Sequence, residues 1–156
     1  MEILVYISVF AIIFLSVYSF LTWTIKSNDR IRAIREVTDN ARRALEVMTY
    51  EIREAGGVYT PTSSTTQLSL ETSHYLPQGE SSTFVDFYLC GNNADVICLK
   101  KESQNPTAIT SDRVQVSGLE FLQISTTTPA IRIKLKIDYD GLASINSTST
   151  VSLRNY

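Results

Sequence analysis

The stretch EILVYISVFAIIFLSVYSFLTWTI, residues 2–25, decides the fold of this chain. From Ile3 to Ile25 it contains no ionisable side chain other than tyrosine, and no Gly or Pro separates it from the amphipathic stretch that ends at Gly56 and Gly57. A helix over residues 3–25 is about 34 Å long, enough to cross a hydrocarbon core roughly 30 Å thick. The sequence therefore predicts one membrane-spanning helix that begins with a carboxylate, Glu2. A carboxylate at the edge of hydrocarbon is a candidate functional residue because it is costly without a partner.

The run does not resemble a cleaved secretory signal. Such a signal has a basic start, an apolar core of about 7–15 residues and a small-residue cleavage site, whereas this run starts with an acid and is longer. Basic residues follow the span, and only Glu2 precedes it among charged residues. If translation starts at Met1, the positive-inside rule places the C-terminal domain in the cytoplasm; a basic leader upstream would reverse this orientation.

Residues 26–55 have a helical period. The apolar stripe is interrupted by one polar residue and comprises Ile31, Ile34, Thr38, Ala41, Leu45, Met48, Ile52 and Ala55. It predicts a face that packs against a core, and a coiled-coil signalling helix is the alternative. Gly56 and Gly57 predict the end of the helix. Residues 2–55 should therefore form one helix that continues beyond the membrane.

After the glycines the pattern changes to strands and turns. Strands are predicted at residues 67–71, 84–90, 96–101, 113–124, 130–139 and 147–154. The clearest is AIRIKLKIDY, residues 130–139, in which apolar and polar side chains alternate. One buried face and one wet face indicate an antiparallel sheet, whose cover would be the amphipathic half of the helix. The fold class is α+β, with a membrane-spanning half-helix (residues 1–25), an amphipathic half-helix (26–57) and a β-sheet domain (58–156).

Few residues of this chain suit catalysis or ligand binding. The net charge of −2 gives no general attraction to nucleic acid. The single histidine, His74, has no catalytic partners near it in the sequence and is expected in a surface loop; no enzyme activity, metal or cofactor is predicted. The basic row Arg132, Lys134 and Lys136 could touch DNA phosphate, but a solvent-facing side of a strand is the favoured interpretation.

Two cysteines, Cys90 and Cys98, flank the turn-rich segment GNNAD. Outside the cytoplasm a disulfide across this hairpin would be worth on the order of 2–3 kcal/mol. Two free thiols, one or both buried as small apolar side chains, are the alternative.

The sequence MEILVYISVFAIIFLSVYSFL at the N-terminus resembles the first helix of type IV pilins and type II secretion pseudopilins after processing. The stretch RRALEVMTYEIREAGG, residues 42–57, is similar to the helix end of minor pilins and of J-type pseudopilins. The helical resemblance covers about a third of the chain, and it places Glu2 at the position of the family glutamate. In that family a basic leader ending in glycine precedes a methylated aromatic residue. Met1 stands at this place here, so the segment encoded upstream is the direct test of the resemblance.

The resemblance implies a structural subunit, a set of partners and a location, all as expectations. Glu2 would pair with the terminal amine of a neighbouring subunit and set the axial register of a filament; a position among lipid headgroups is the alternative role. The implied partners are other pilin or pseudopilin subunits, the bacterial cytoplasmic membrane and, if a leader exists, prepilin peptidase. The C-terminal domain would lie outside the cytoplasm. A membrane-anchored extracytoplasmic sensor or adhesin without a filament is the alternative function.

Overall fold

A single long helix begins the computed structural model, which describes residues 2–73, 76, 78–102, 104–124 and 129–154. Helix α1, Glu2–Glu54, contains 53 residues and is roughly 80 Å long at 1.5 Å per residue. It ends where the sequence predicts, because the Gly56 N–H donates 2.9 Å to the Glu71 carbonyl instead of continuing the helix. His74 lies outside the described residues.

The described residues after the helix form eight strands. They are β1 (Gly57–Val58), β2 (Leu68–Thr72), β3 (Thr83–Cys90), β4 (Val96–Lys101), β5 (Thr107–Ala108), β6 (Gln115–Ile124), β7 (Ala130–Tyr139) and β8 (Ala143–Ser152). The bounds of β4 and β7 agree with the sequence prediction. The last strand differs from it, since β8 begins at Ala143 and ends at Ser152.

The strands form two antiparallel sheets. The first sheet has the order β1-β2-β3-β4-β5 and the second the order β6-β7-β8. The predicted α+β class is confirmed, but the strands are divided between two sheets, not gathered in one. The ladder between β6 and β7 shifts its register between Val116 and Gly118, as a β-bulge does.

The core lies where α1 and the two sheets meet. Its apolar side chains include Met48 and Ile52 from the helix, Phe87 and Ile97 from the first sheet, and the inner row of β7. That row consists of Ile131, Ile133, Leu135 and Ile137, all nearly inaccessible to solvent. One core therefore joins both sheets to the second half of α1.

The buried face of α1 differs from the predicted stripe. Ile31 and Ile34 remain 46% and 48% exposed, and Thr38 is also exposed. The buried residues are Ala33, Val37, Ala41, Ala44, Met48, Glu51 and Ile52. The prediction was wrong at the start of the stripe, where small side chains, Ala33 and Val37, meet the sheet instead of the two isoleucines.

Candidate functional site

The first half of α1 is an apolar surface without a cover in this chain. Residues 3–21 are apolar over almost their whole length, and none of their side chains is buried. Large side chains are exposed along the whole length, from Ile3 (73%) to Ile25 (60%). The helix is long and apolar enough to cross a membrane once. We name residues 2–25 the anchor segment.

Three hydroxyl groups within the anchor segment donate hydrogen bonds to carbonyls of the same helix. Ser8 donates to the Val5 carbonyl at 2.8 Å, Thr22 to the Ser19 carbonyl at 2.9 Å, and Thr24 to the Phe20 carbonyl at 2.9 Å. In an apolar environment an unpaired hydroxyl is costly, and these bonds remove that cost without a partner chain. Among the described residues of this segment, Glu2 is the charged one, and no hydrogen bond within the helix offsets the cost of placing its carboxylate in an apolar environment. It lies exposed in the first turn.

Polar contacts fix the second half of α1 to the sheets. The buried Glu51 carboxylate lies 2.9 Å from the Lys101 ammonium group at the end of β4. Asn40 accepts a hydrogen bond from the Ser111 N–H at 2.8 Å, and Glu36 lies 3.8 Å from the Arg113 guanidinium. These contacts hold the anchor segment in a defined direction relative to the sheet domain.

The predicted disulfide is present. Cys90 and Cys98 are bonded across the β3–β4 hairpin, with their Cα atoms 5.8 Å apart. The hairpin loop also contacts the second sheet, because the Asp95 carbonyl accepts a hydrogen bond from the Val116 N–H at 2.8 Å. The bridge thus closes the loop that joins the edge of β6 to the first sheet.

The basic row lies where the sequence places it, on the exposed side of β7. Lys134 pairs with Glu120 of β6 at 3.1 Å, and the Arg132 Nε lies 3.5 Å from the Thr150 hydroxyl of β8. This row is a solvent-facing side of a sheet. Within the described part of the chain, no group of three or more His, Cys, Asp or Glu side chains could hold a metal ion.

Comparison with protein-family models, with curated proteins and with solved structures finds no match.

Sequence reasoning missed the buried Glu51. Its spacing predicts that it lies on the buried face of the helix, since Glu51 follows Ala44 by two helical turns and precedes Ala55 by one. A charged residue at that position requires a partner of opposite charge on the facing sheet. Lys101 cannot be chosen from the sequence because several lysines occupy strands.

Proposed function

We propose that this chain is a structural subunit, of the minor-pilin or pseudopilin kind, in a type IV pilus or type II secretion-like filament. Before assembly its anchor segment holds it in the bacterial cytoplasmic membrane, with the sheet domain outside the cytoplasm. The single observation that carries the proposal is the construction of α1. One uninterrupted helix has a first half with no buried side chain and a second half packed on two sheets.

The continuity of the helix supports a filament more than a simple anchor. A membrane anchor needs about 20 apolar residues and no rigid connection to its domain. Here the anchor segment and the packed half share one helix, which Glu36, Asn40 and Glu51 fix to the sheets. A rigid projecting helix can pack against equivalent helices of neighbouring subunits along its whole length.

Glu2 is the residue that we assign to register. When apolar helices bundle away from water, an unpaired carboxylate is expensive, so the arrangement that gives it a cationic partner is favoured over axial shifts. The resemblance to pilins supplies the partner, the terminal amine of an adjacent subunit. In this role the pair selects one arrangement more than it adds stability.

Filament assembly of Glu2 variants tests the proposal. We expect Glu2→Ala and Glu2→Gln to accumulate in the membrane as wild type does, but to fall at least about tenfold in sheared filaments, because the unpaired amine is left in an apolar bundle. Immunogold labelling and quantitative blotting of the sheared fraction measure this. Ser8→Ala is the matched control, since that hydroxyl bonds only to its own helix.

Two outcomes count against the proposal. Equal incorporation of Glu2→Ala would remove the register role. A wild-type chain that stays in the membrane fraction and never enters filaments would favour the anchored sensor or adhesin.

A further inference from the structure

In the described part of the chain the two sheets have four edges, of which three are formed by short strands or are covered by loops. The first sheet ends on both sides in strands of two residues, β1 and β5. On the open side of β6, the Phe121 N–H donates to the Thr65 carbonyl and the Val116 N–H to the Asp95 carbonyl, both at 2.8 Å. Short edge strands and covering loops prevent unwanted strand pairing. The fourth edge, β8, has ten residues.

The register shows which backbone groups of β8 are open. The Leu153 N–H donates to the Pro129 carbonyl at 3.0 Å, so the residues of β8 in step with Leu153 bond to β7. In an antiparallel ladder the alternate residues direct their N–H and C=O groups to the other side. These residues are Ser144, Asn146, Thr148, Thr150 and Ser152. Among the described residues, none of their N–H groups has a partner beyond this edge.

The side chains of β8 do not protect this edge. The strand ASINSTSTVS contains no charged residue and no proline, and its pairing with β7 has no bulge. Lysine, proline and bulges are the usual means of blocking an edge. The edge is therefore long and regular, and no charged side chain, proline or bulge of β8 blocks its outward backbone groups.

Next to the edge lies a cation that can select a partner. Arg132 is exposed, and its Nε lies 3.5 Å from the Thr150 hydroxyl, so the guanidinium is directed over β8 toward the open side. Lys134, two residues further along β7, already forms an ion pair with Glu120. No described carboxylate forms an ion pair with Arg132.

We propose that the β8 edge binds an extended segment of another protein, which adds a strand to the second sheet and places a carboxylate opposite Arg132. The backbone groups of the five open residues supply hydrogen bonds without regard to sequence, and Arg132 supplies selectivity. This interaction surface is separate from the anchor segment, so it does not depend on the proposed filament role.

Antiparallel pairing with a second copy of this chain is disfavoured by the direction of the helix. Helix α1 runs parallel to β8, because Arg30 and Ile34 lie beside Gly141 and Ser144 at one end, while Glu54 lies 3.6 Å from Arg154 at the other. An antiparallel pair of β8 strands would point the two anchor segments in opposite directions. Two copies in one membrane cannot adopt it.

Peptide binding to the full chain in lipid nanodiscs tests this proposal. The probe is a short labelled peptide of alternating threonine and valine with one central glutamate, and its glutamine counterpart is the comparison. We expect fluorescence anisotropy to show binding that Thr148→Pro weakens about tenfold, because proline removes one outward N–H and leaves a peptide carbonyl unpaired. Thr148→Ala keeps the N–H and should change the affinity by less than about twofold.

The variant Arg132→Gln tests whether the charge of the guanidinium selects the peptide. This variant should bind the glutamate peptide about fivefold more weakly than wild type and bind the glutamine peptide with unchanged affinity. The reason is that the selectivity rests on one charge-assisted contact. Proline is tolerated where the N–H faces out of the sheet, and thermal unfolding checks that Thr148→Pro is folded. If it is not, Asn146→Pro removes an equivalent outward N–H.

Three results would overturn the proposal. They are the absence of binding up to about millimolar peptide, equal binding by wild type and the folded proline variant, and a dimer of the chain alone that the proline variant dissociates.

Discussion

At the scale of single residues, the pair of Glu51 and Lys101 joins α1 to the first sheet. The Glu51 side chain is 8% exposed and that of Lys101 21% exposed, with 2.9 Å between the carboxylate oxygen and the ammonium nitrogen. Desolvation of both groups offsets much of their attraction, so the pair itself adds little net stability. Removal of one partner is expected to lower the stability more than this small contribution, because the other charge then stays partly buried.

We therefore expect Glu51→Ala to lower the free energy of unfolding by about 2–3 kcal/mol. Glu46→Ala, at an exposed position of the same helix, should change it by less than about 0.5 kcal/mol. Urea unfolding followed by circular dichroism measures both. The double variant Glu51→Leu with Lys101→Met should recover most of the loss; equal losses in Glu51→Ala and Glu46→Ala would contradict this account.

At the scale of elements, the sequence predicts strands well where side chains alternate over many residues. The bounds of β4 and β7 agree with the prediction, because a pleated strand with one buried face imposes a period of two. The strands β1 and β5 have two residues each, too few for any period. Their pairing extends the first sheet, and it depends on contacts between distant parts of the chain.

The helix stripe shows a different limit of sequence reasoning. Periodicity predicts the helix correctly, but at the start of the stripe it selects the face of the large Ile31 and Ile34. The sheet meets the smaller Ala33 and Val37 there. Small side chains let a helix approach a sheet closely, and a hydrophobicity pattern gives them little weight. The open register of β8 likewise required the strand pairing, which the sequence alone did not supply.

The close approach of α1 to the sheets gives a prediction for Ala44. This residue is fully buried, and the helix has its most extensive contacts with β8 and β7. Ala44→Leu should destabilise the domain by about 1–3 kcal/mol, because the three added carbon atoms force the helix and sheet apart. Glu46→Leu places the same side chain on the exposed face and is the matched control. Urea unfolding of both variants checks the prediction, and equal stability would show that the interface is loosely packed.

In the whole molecule, the chain divides into a part whose apolar side chains are exposed and a part that surrounds the buried core. Every described side chain of residues 3–21 is exposed, whereas the core draws on α1 only from Ala33 onward. The disulfide, the buried ion pair and both sheets lie in the second part. The anchor segment therefore adds a long exposed apolar surface but little to the stability of the sheet domain.

Removal of residues 1–25 should then leave a soluble, folded domain. We expect its thermal unfolding to be cooperative, with a midpoint within about 4 °C of that of the full chain in detergent, since the deletion removes no buried contact and costs less than about 1 kcal/mol. Removal of residues 1–40 is the informative contrast, because it takes away Ala33 and Val37 from the core and Asn40 from Ser111. Differential scanning calorimetry compares the three proteins. If the shorter deletion unfolded without cooperativity, the anchor segment would be part of the folding unit; if both deletions kept the same midpoint, the core would not extend along α1 to Ala33.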